Sequence, residues 1–556
     1  MDISEKDWKL FRERVSDWQE NYMKGIKIRR RKMKQNMMIH RLETVIMAFA
    51  IIVSFVNGLN VQAAGSSGSI SLSKASISVK EGMTGKITVK NKPAGAKVLW
   101  SSKNKKIAKV KKGIITGLER GKTVVTCKVA YWQGQKKKTK ELKAAVTVKN
   151  NKQVYPKHKP YGKGVGAKPG RVVWSHNPKS VQWNGKGYWW QTGHFDEKVI
   201  TKMFQNSIAS LGGAKKAKTG WEKLFQAQNK RRGKENKKYT KGEKIAIKAN
   251  INGSGVFDDD DSGKTNMSYT NPVLLKVLLT SLVKDAGVAP SDITVYDVSR
   301  IFPTYMVEMC TKGELKGVHF VGRNNGAADK KKPIHWSYSF RGAVNYLPTC
   351  VTNAEYVINF ANLKGHSYGI TLCGKNHFGS FINGNEMRPP EGANLHQFLT
   401  MDAMGVYSPL VDLMANYELG NKTVLYMLDA LISAPSEGDD ITGSNARWEQ
   451  SPFNGYYTSS IFVSQDPVAI DSVGADFLMN EPAVTNHNDS LNNNATVENY
   501  LHEAALAKKA PSGNVYKNGD GKKVSNLGVH EHWNNPVSKK YSRNLGKKEG
   551  IELVKV

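Results

Sequence analysis

The sequence predicts an α/β domain on a mostly parallel, doubly wound-like sheet, preceded by a small all-β sandwich. Two patterns and one imbalance carry this reading. Between residues 69 and 149 short runs alternate apolar and polar residues (ISLS, SISV, KITVK, KVLW, TVVTCKV, AAVTVK), broken by Gly, Pro and Asn; period-two runs with regular turn signals are the mark of a sandwich. From Glu243 on, wholly apolar strand-length runs alternate with helix-length periodic segments, as in KIAIKANI, PVLLKVLLTSLVKDAG and DITVYDVS, the pattern of a parallel sheet covered on both faces. Charge divides the chain in the same way. Residues 69–150 hold 21 Lys/Arg against 3 Asp/Glu and residues 151–250 hold 23 against 5, whereas residues 251–556 hold 27 against 32. The whole chain, 556 residues at a formal +36, exceeds one ordinary domain.

The first 64 residues read as a basic leader and secretory signal. Arg29, Arg30, Arg31 and Lys32 precede an apolar run of 12 residues, 45–56, which is short against the ~20 residues a spanning helix needs. Val61-Gln62-Ala63 offers small residues for cleavage near Ala63-Ala64. The leader ahead of the run is long, and Met33, Met37 and Met38 are alternative starts. The expectation is therefore a secreted or cell-surface protein, touching membrane only through the signal segment if that stays uncleaved. Export removes nucleic acid from the expected partners and leaves polyanionic wall or extracellular polymers for a surface this basic. The four cysteines, Cys127, Cys310, Cys350 and Cys373, lack any CxxC spacing, so no iron–sulfur cluster is expected; a Cys310–Cys350 bridge is open to an exported protein.

Residues 65–150 form the first module. Its stretch VLWSSKNKKIAKVKKGIITGLERGKTVVTCKV, with Trp100, Ala108, Val110, Gly113, Gly117 and Gly121 in place, resembles the bacterial immunoglobulin-like group 2 domain. That resemblance implies an adhesive or spacer module of exported bacterial proteins, without catalytic residues. Residues 151–170 are a Lys/Pro/Gly linker, and the second domain opens at residue 171 and runs to 556. Its opening is rich in tryptophan (Trp174, Trp183, Trp189, Trp190, then Trp221); such a cluster either stacks on carbohydrate or packs into the core, the commoner fate. Residues 196–211 read as an amphipathic helix and 215–241 as a basic exposed stretch. Asn271-Pro272 and Asp466-Pro467 each pair an N-cap with a first-turn proline, starting the helices PVLLKVLLTSLVKDAG and PVAIDSVGADFLM. The remaining strands are VHFVG, EYVINFA, GITLC, KTVLYMLDA and SSIFVS.

Ligands of open α/β sheets bind beyond the carboxyl ends of the strands, so the residues following each strand are the site candidates. LKGHSYGITLCGKNHFGSF sets Lys364, His366, Lys375, Asn376 and His377 around one apolar run punctuated by glycines. The catalytic candidates are His366, His377, Lys375, Lys364 and Asp297. The ligand-binding candidates are Lys248, Asn250, Arg300, Asn376, His396, Asp429 and Asp466. Lysine, arginine and asparagine recognise anions, and histidines offer a general base or metal ligands. The bland alternative is a glycine-rich connection whose histidines only satisfy local hydrogen bonds. A divalent metal is the one cofactor this set suggests. Asp258–Asp261, four carboxylates in a row, could hold calcium but lack EF-hand spacing. His530-Glu531-His532 invites a metal reading only if a strand turns both imidazoles the same way; a structural role, folding Trp533 and the tail back over the domain, is equally open.

KIAIKANI, TNPVLLKVLLTSLVKDAG, ITVYDVSR, LKGHSYGITLCGKNHFGSF, KTVLYMLDAL and SQDPVAIDSVGADFL together resemble, in that order, the family catalogued as domain of unknown function 362. Some members of that family carry ferredoxin-type cysteine motifs, which this chain lacks, and the family names no activity. No nucleophile elbow, P-loop, GxGxxG or paired-carboxylate spacing names a reaction class either. The residues leave two readings: an exported wall-associated enzyme acting on an anionic or carbohydrate-derived ligand, and a non-catalytic ligand-binding or adhesion protein using the same rim.

Overall fold

The computed structural model describes residues 68–151, 159–254, 264–338, 344–383, 395–399, 403–492 and 494–556. The signal segment and the acidic run Asp258–Asp261 lie outside the described residues.

The N-terminal module is a two-sheet β structure. Strands Ser76–Lys80, Lys136–Lys149, Gly121–Gln133 and Lys97–Ser102 form one sheet in that order, and Thr84–Lys86, Ile114–Gly117 and Ala108–Lys111 form the other. Alternate residues point inward, so Val79, Ile87, Ala108, Ile115, Val125, Ala144, Val146 and Val148 make one core while the lysines between them stay outside. The module is tied to the following domain through residues 82–84. Met83 is 2% exposed, the Thr84 amide donates to Glu449 O (2.9 Å), and the Ser451 amide donates to Gly82 O (2.8 Å).

The larger domain is built on eight strands: β1 Arg171–His176, β2 Ile245–Lys248, β3 Ile293–Tyr296, β4 His319–Val321, β5 Tyr356–Asn362, β6 Thr423–Ala430, β7 Ser460–Ser464 and β8 Glu552–Lys555. Their order is β4-β3-β2-β5-β6-β7-β1-β8. Every neighbouring pair is parallel except the two that β7 makes, with β6 and with β1. The sheet is thus mostly parallel, and both of its faces are covered. Helices α1 Glu197–Leu211, α2 Ala217–Arg231 and α3 Pro272–Lys284 pack on one face against Val173, Ile247, Val295, Ile358 and Met427. Helices α4 Pro467–Met479 and α5 Asn494–Ala505 pack on the other against Val172, Trp174, Tyr426, Leu428 and Phe462.

The two caps that the sequence names lie in place: Asn271 accepts from the Val273 and Leu274 amides at α3, and Asp466 from the Val468 and Ala469 amides at α4. Asp196, read as the first residue of a helix, caps α1 instead by accepting from the Val199 amide. Four features differ from the sequence reading. The basic stretch 215–241 keeps its lysines exposed but contains α2, whose Trp221, Leu224 and Phe225 are buried. GITLC does not join the central sheet: Gly369–Thr371 pairs antiparallel with Lys364–His366 in a separate hairpin. Residues Tyr161 and Gly162, within the expected linker, pair with Val529 and His530. All four cysteines are free thiols, so no Cys310–Cys350 bridge forms. The tryptophans are mainly core: Trp174, Trp183, Trp189 and Trp221 are each 4% exposed or less, and Trp190 stacks on Tyr188 and Tyr305.

Candidate functional site

The hairpin Lys364–His366/Gly369–Thr371 leaves the carboxyl end of β5 and runs into a single helical turn, Cys373–Asn376. Close packing dictates the glycine at 365, since a Cβ there would come within 1.9 Å of Pro435 O. The helical turn is held from below by Asp471 of α4, which accepts from the Cys373 amide (2.9 Å) and the Gly374 amide (2.8 Å). Burial raises the Asp471 carboxyl to about 6. This anchoring sets Lys375 and Asn376 at the carboxyl edge of the sheet.

Asn376 belongs to a buried polar network. Its Nδ2 donates to Asn359 Oδ1 (2.8 Å), and its Oδ1 accepts from Asn250 Nδ2 (3.1 Å) and from Lys248 Nζ (3.4 Å). Lys248 also pairs with Asp297 (3.0 Å), both side chains being almost fully buried; the loss of water pulls the Lys248 ammonium down and Asp297 supports it. Asp297 further accepts from the Ile251 and Ser299 amides. Gly379 makes room for this pair, because a Cβ there would lie 2.4 Å from Asp297 Oδ1.

Lys375 looks the other way, toward two imidazoles. Its Nζ is 3.0 Å from His396 Nε2 and 3.3 Å from His366 Nε2, and it stands 4.0 Å above the Phe378 ring. The rings of His366 and His396 are stacked at 5.5 Å. His366 Nδ1 accepts from the Tyr368 amide (3.0 Å), so in the neutral ring Nε2 carries the proton and faces Lys375. Burial holds Lys375 at about 7, His396 at about 3 and His366 well below its ordinary value. Lys364 is likewise fully buried and held at about 7 by loss of water; it donates to Ser268 O (2.6 Å) and Asn252 Oδ1 (3.0 Å). Neither lysine has a carboxylate at ion-pair distance among the described residues. Around them Asn250 Oδ1, Ser254 Oγ, Asn362 Oδ1 and Thr371 Oγ1 are buried without a hydrogen-bond partner among the described residues. Buried polar atoms are rarely left so, and such a group of atoms suits an edge that receives a ligand or water.

The predicted site residues therefore separate. Lys375, His366 and His396 come together; Lys248, Asp297, Asn250 and Asn376 form the neighbouring network; Lys364 bridges the hairpin to residues 252 and 268. Arg300 turns to its own neighbour, donating from Nη1 to Ser299 O (2.8 Å). Asp429 ends β6 and accepts from the Asn271 and Leu431 amides, its carboxyl raised by burial to about 7. Two residues are misplaced by the sequence reading. His377 is fully buried and saturated: Nε2 accepts from Asn359 Nδ2 (2.9 Å), Nδ1 bonds Ser380 Oγ (3.0 Å), and burial holds it at about 3. Asp466 follows β7, whose reversed direction carries it to the opposite edge of the sheet. There it caps α4 and accepts from the Val165 amide (3.0 Å). The sequence reading missed Asn359 and Asp471; each was visible as a polar residue inside an otherwise apolar strand or helix.

Comparison with known proteins finds two domains in the chain. The family model "Domain of unknown function (DUF362)" matches residues 245–476, and that of the bacterial Ig-like domain (group 2) matches residues 68–142. No curated protein matches the chain. Among solved structures, a protein assigned as an alpha-galactosidase from Bacteroides fragilis is 16% identical over 26% of this chain and 26% of its own, at a TM-score of 0.13. A GH10 xylanase from termite gut that contains a bacterial Ig-like domain is 12% identical over 40% of this chain and 62% of its own, at a TM-score of 0.09. This chain thus spans about a quarter of the first and under two thirds of the second, and at such scores neither bears on the function. The chain carries a group 2 bacterial immunoglobulin-like domain, a module typical of extracellular or surface proteins, followed by a domain of the DUF362 family.

Proposed function

We propose that the protein is an exported, wall-associated enzyme whose α/β domain acts on an anionic, carbohydrate-derived ligand. One observation carries this reading: Lys364, in the hairpin, and Lys375, on the helical turn that follows it, are both buried without a carboxylate at ion-pair distance among the described residues. Glu437 acts on both from beyond contact and only partly offsets their loss of water; a buried ammonium with no carboxylate in contact is costly, so it either gives up its proton or receives an anion. Held at about 7, each lysine can do either near neutral pH. Lys375, between two neutral imidazoles, is suited to accept a proton or to attack as a free amine. Lys364, fixed by a carbonyl and an amide oxygen, is suited to hold the anionic group. The basic Ig-like module would keep the domain near a polyanionic polymer. The full chain is to be incubated with acidic glycans and phosphorylated wall polymers and the products followed by mass spectrometry. Turnover that disappears in Lys375→Met supports the enzyme; binding without turnover would instead make the protein a non-catalytic ligand-binding protein.

A further inference from the structure

We infer that Glu498, His502 and His530 form a second site, separate from the lysine edge, that binds a divalent transition metal of the zinc type. Two elements supply its ligands. Glu498 and His502 stand one turn apart on α5 and so share one face. His530 comes from Val529–His530, which pairs with Tyr161–Gly162. One donor atom from each of the three lies within 4.8 Å of the others. Glu498 Oε2 is 2.9 Å from His530 Nε2 and 3.6 Å from His502 Nε2. Ligands bound at ~2.0–2.2 Å to one ion stand roughly 3–3.5 Å apart; the two separations from Glu498 are close to that, and three donor atoms within 4.8 Å of one another need only small side-chain shifts to share an ion.

The surroundings are those of a metal centre as well. His530 is fully buried, and its other nitrogen, Nδ1, lies 2.8 Å from Ser472 Oγ. Ser472 Oγ already donates to Val468 O (2.7 Å), so it accepts from His530 Nδ1–H and leaves Nε2 as a lone pair aimed at Glu498. Fixing a ligand's tautomer through its far nitrogen is what outer partners of metal-bound histidines do. His532 bonds Asp476 Oδ1 (2.8 Å) on one side and Glu498 Oε2 (3.0 Å) on the other, and so positions the carboxylate. The second oxygen, Glu498 Oε1, is buried without a hydrogen-bond partner among the described residues. A hydrogen-bonded histidine cluster alone leaves that atom unsatisfied, whereas an ion gripped by both carboxylate oxygens would use it. Tyr161 covers the cluster, its ring 4.7 Å from that of His502. Two imidazoles and one carboxylate suit zinc and its first-row neighbours over magnesium or calcium, which take oxygen.

The test uses the tag-free full chain, stripped with chelator and titrated with zinc chloride in a calorimeter. One zinc per chain is expected, with affinity reduced at least ~100-fold in His502→Ala and Glu498→Gln, and by about 10–100-fold in Ser472→Ala, which touches no ion. His502 is partly exposed, so its variant should keep its circular dichroism and separate lost binding from lost folding. The double variant His366→Ala/His396→Ala should bind zinc as the natural chain does. Absence of stoichiometric binding by the folded chain, unchanged affinity in His502→Ala and Glu498→Gln, or loss of binding only in His366→Ala/His396→Ala would each overturn the assignment. None of these outcomes bears on turnover at Lys375.

Discussion

Lys375 Nζ stands 3.0 Å from His396 Nε2, in a hydrogen-bonded line that starts at the Tyr368 amide and passes through His366. The line has a direction. The Tyr368 amide donates to His366 Nδ1, so His366 Nε2–H points at Lys375, and a nitrogen that receives a proton donor must offer a lone pair. Lys375 in turn donates to His396. Geometry and burial thus agree on a lysine that is readily neutral, which ordinary surface lysines are not.

The stability of the fold should record that neutral state. The folded pKa, about 7, lies below the ordinary 10.5, so between those values the unfolded chain binds more protons and stability rises with pH. Below pH 7 both states are charged and the full cost of burial applies. In Lys375→Met this dependence disappears. Urea unfolding from pH 6 to 10 should give the natural chain an extra slope of up to about 1.4 kcal/mol per pH unit relative to the variant; parallel curves would contradict the assignment.

Asp297 holds the neighbouring network together through its pair with Lys248, 3.0 Å apart and nearly without solvent. Removing one partner leaves an uncompensated buried charge, so Asp297→Ala should lose roughly 3–5 kcal/mol in urea unfolding. The double variant Asp297→Ala/Lys248→Met should recover part of that loss. A single-variant loss under ~1 kcal/mol would mean that the pair contributes little.

The histidines of the central stretch should part company. His377→Ala strands the Asn359 and Ser380 partners in the core and should cost about 1–3 kcal/mol. His396→Ala, at a half-buried position, should change stability little and abolish turnover or anion binding. Equal melting temperatures for the two variants would refute the division.

Much of the domain was legible because its signals are local. Asn271-Pro272 and Asp466-Pro467 read as helix starts from two residues, and the apolar runs of β2, β3, β5 and β6 read as buried strands. Relations between distant segments were not. Asp466 follows a strand as Asp429 does, but only pairing partners reveal that β7 runs backward, and that direction moves Asp466 to the other edge. GITLC has strand composition in either setting; its partner, Lys364–His366, decides that it forms a hairpin. Lys375 sits on the helical turn and His377 just past its end, two residues on in helical backbone, which points them to opposite sides. Glu498 and His502 carried a readable i, i+4 pattern, yet its meaning required His530 from a segment near the chain's end.

The Ig-like module should also prove to be docked rather than free. Met83 is 2% exposed against the larger domain, and burying such a side chain is worth roughly 1.5–3 kcal/mol. Met83→Asp should expose the 445–455 region to limited proteolysis while the module keeps its β circular dichroism. An unchanged cleavage pattern would contradict the docking.

The central claim, a buried lysine free to exchange its proton near neutrality, is tested most directly by NMR of the full chain labelled with 13C at lysine Cε. The Lys375 resonance would be assigned by its loss in Lys375→Arg. The account predicts a titration midpoint near 7 that moves upward when inorganic phosphate is added, because an anion beside the amine favours its charged form. A midpoint near the ordinary 10.5, unmoved by phosphate, would show Lys375 to be a permanently charged lysine and would contradict the account.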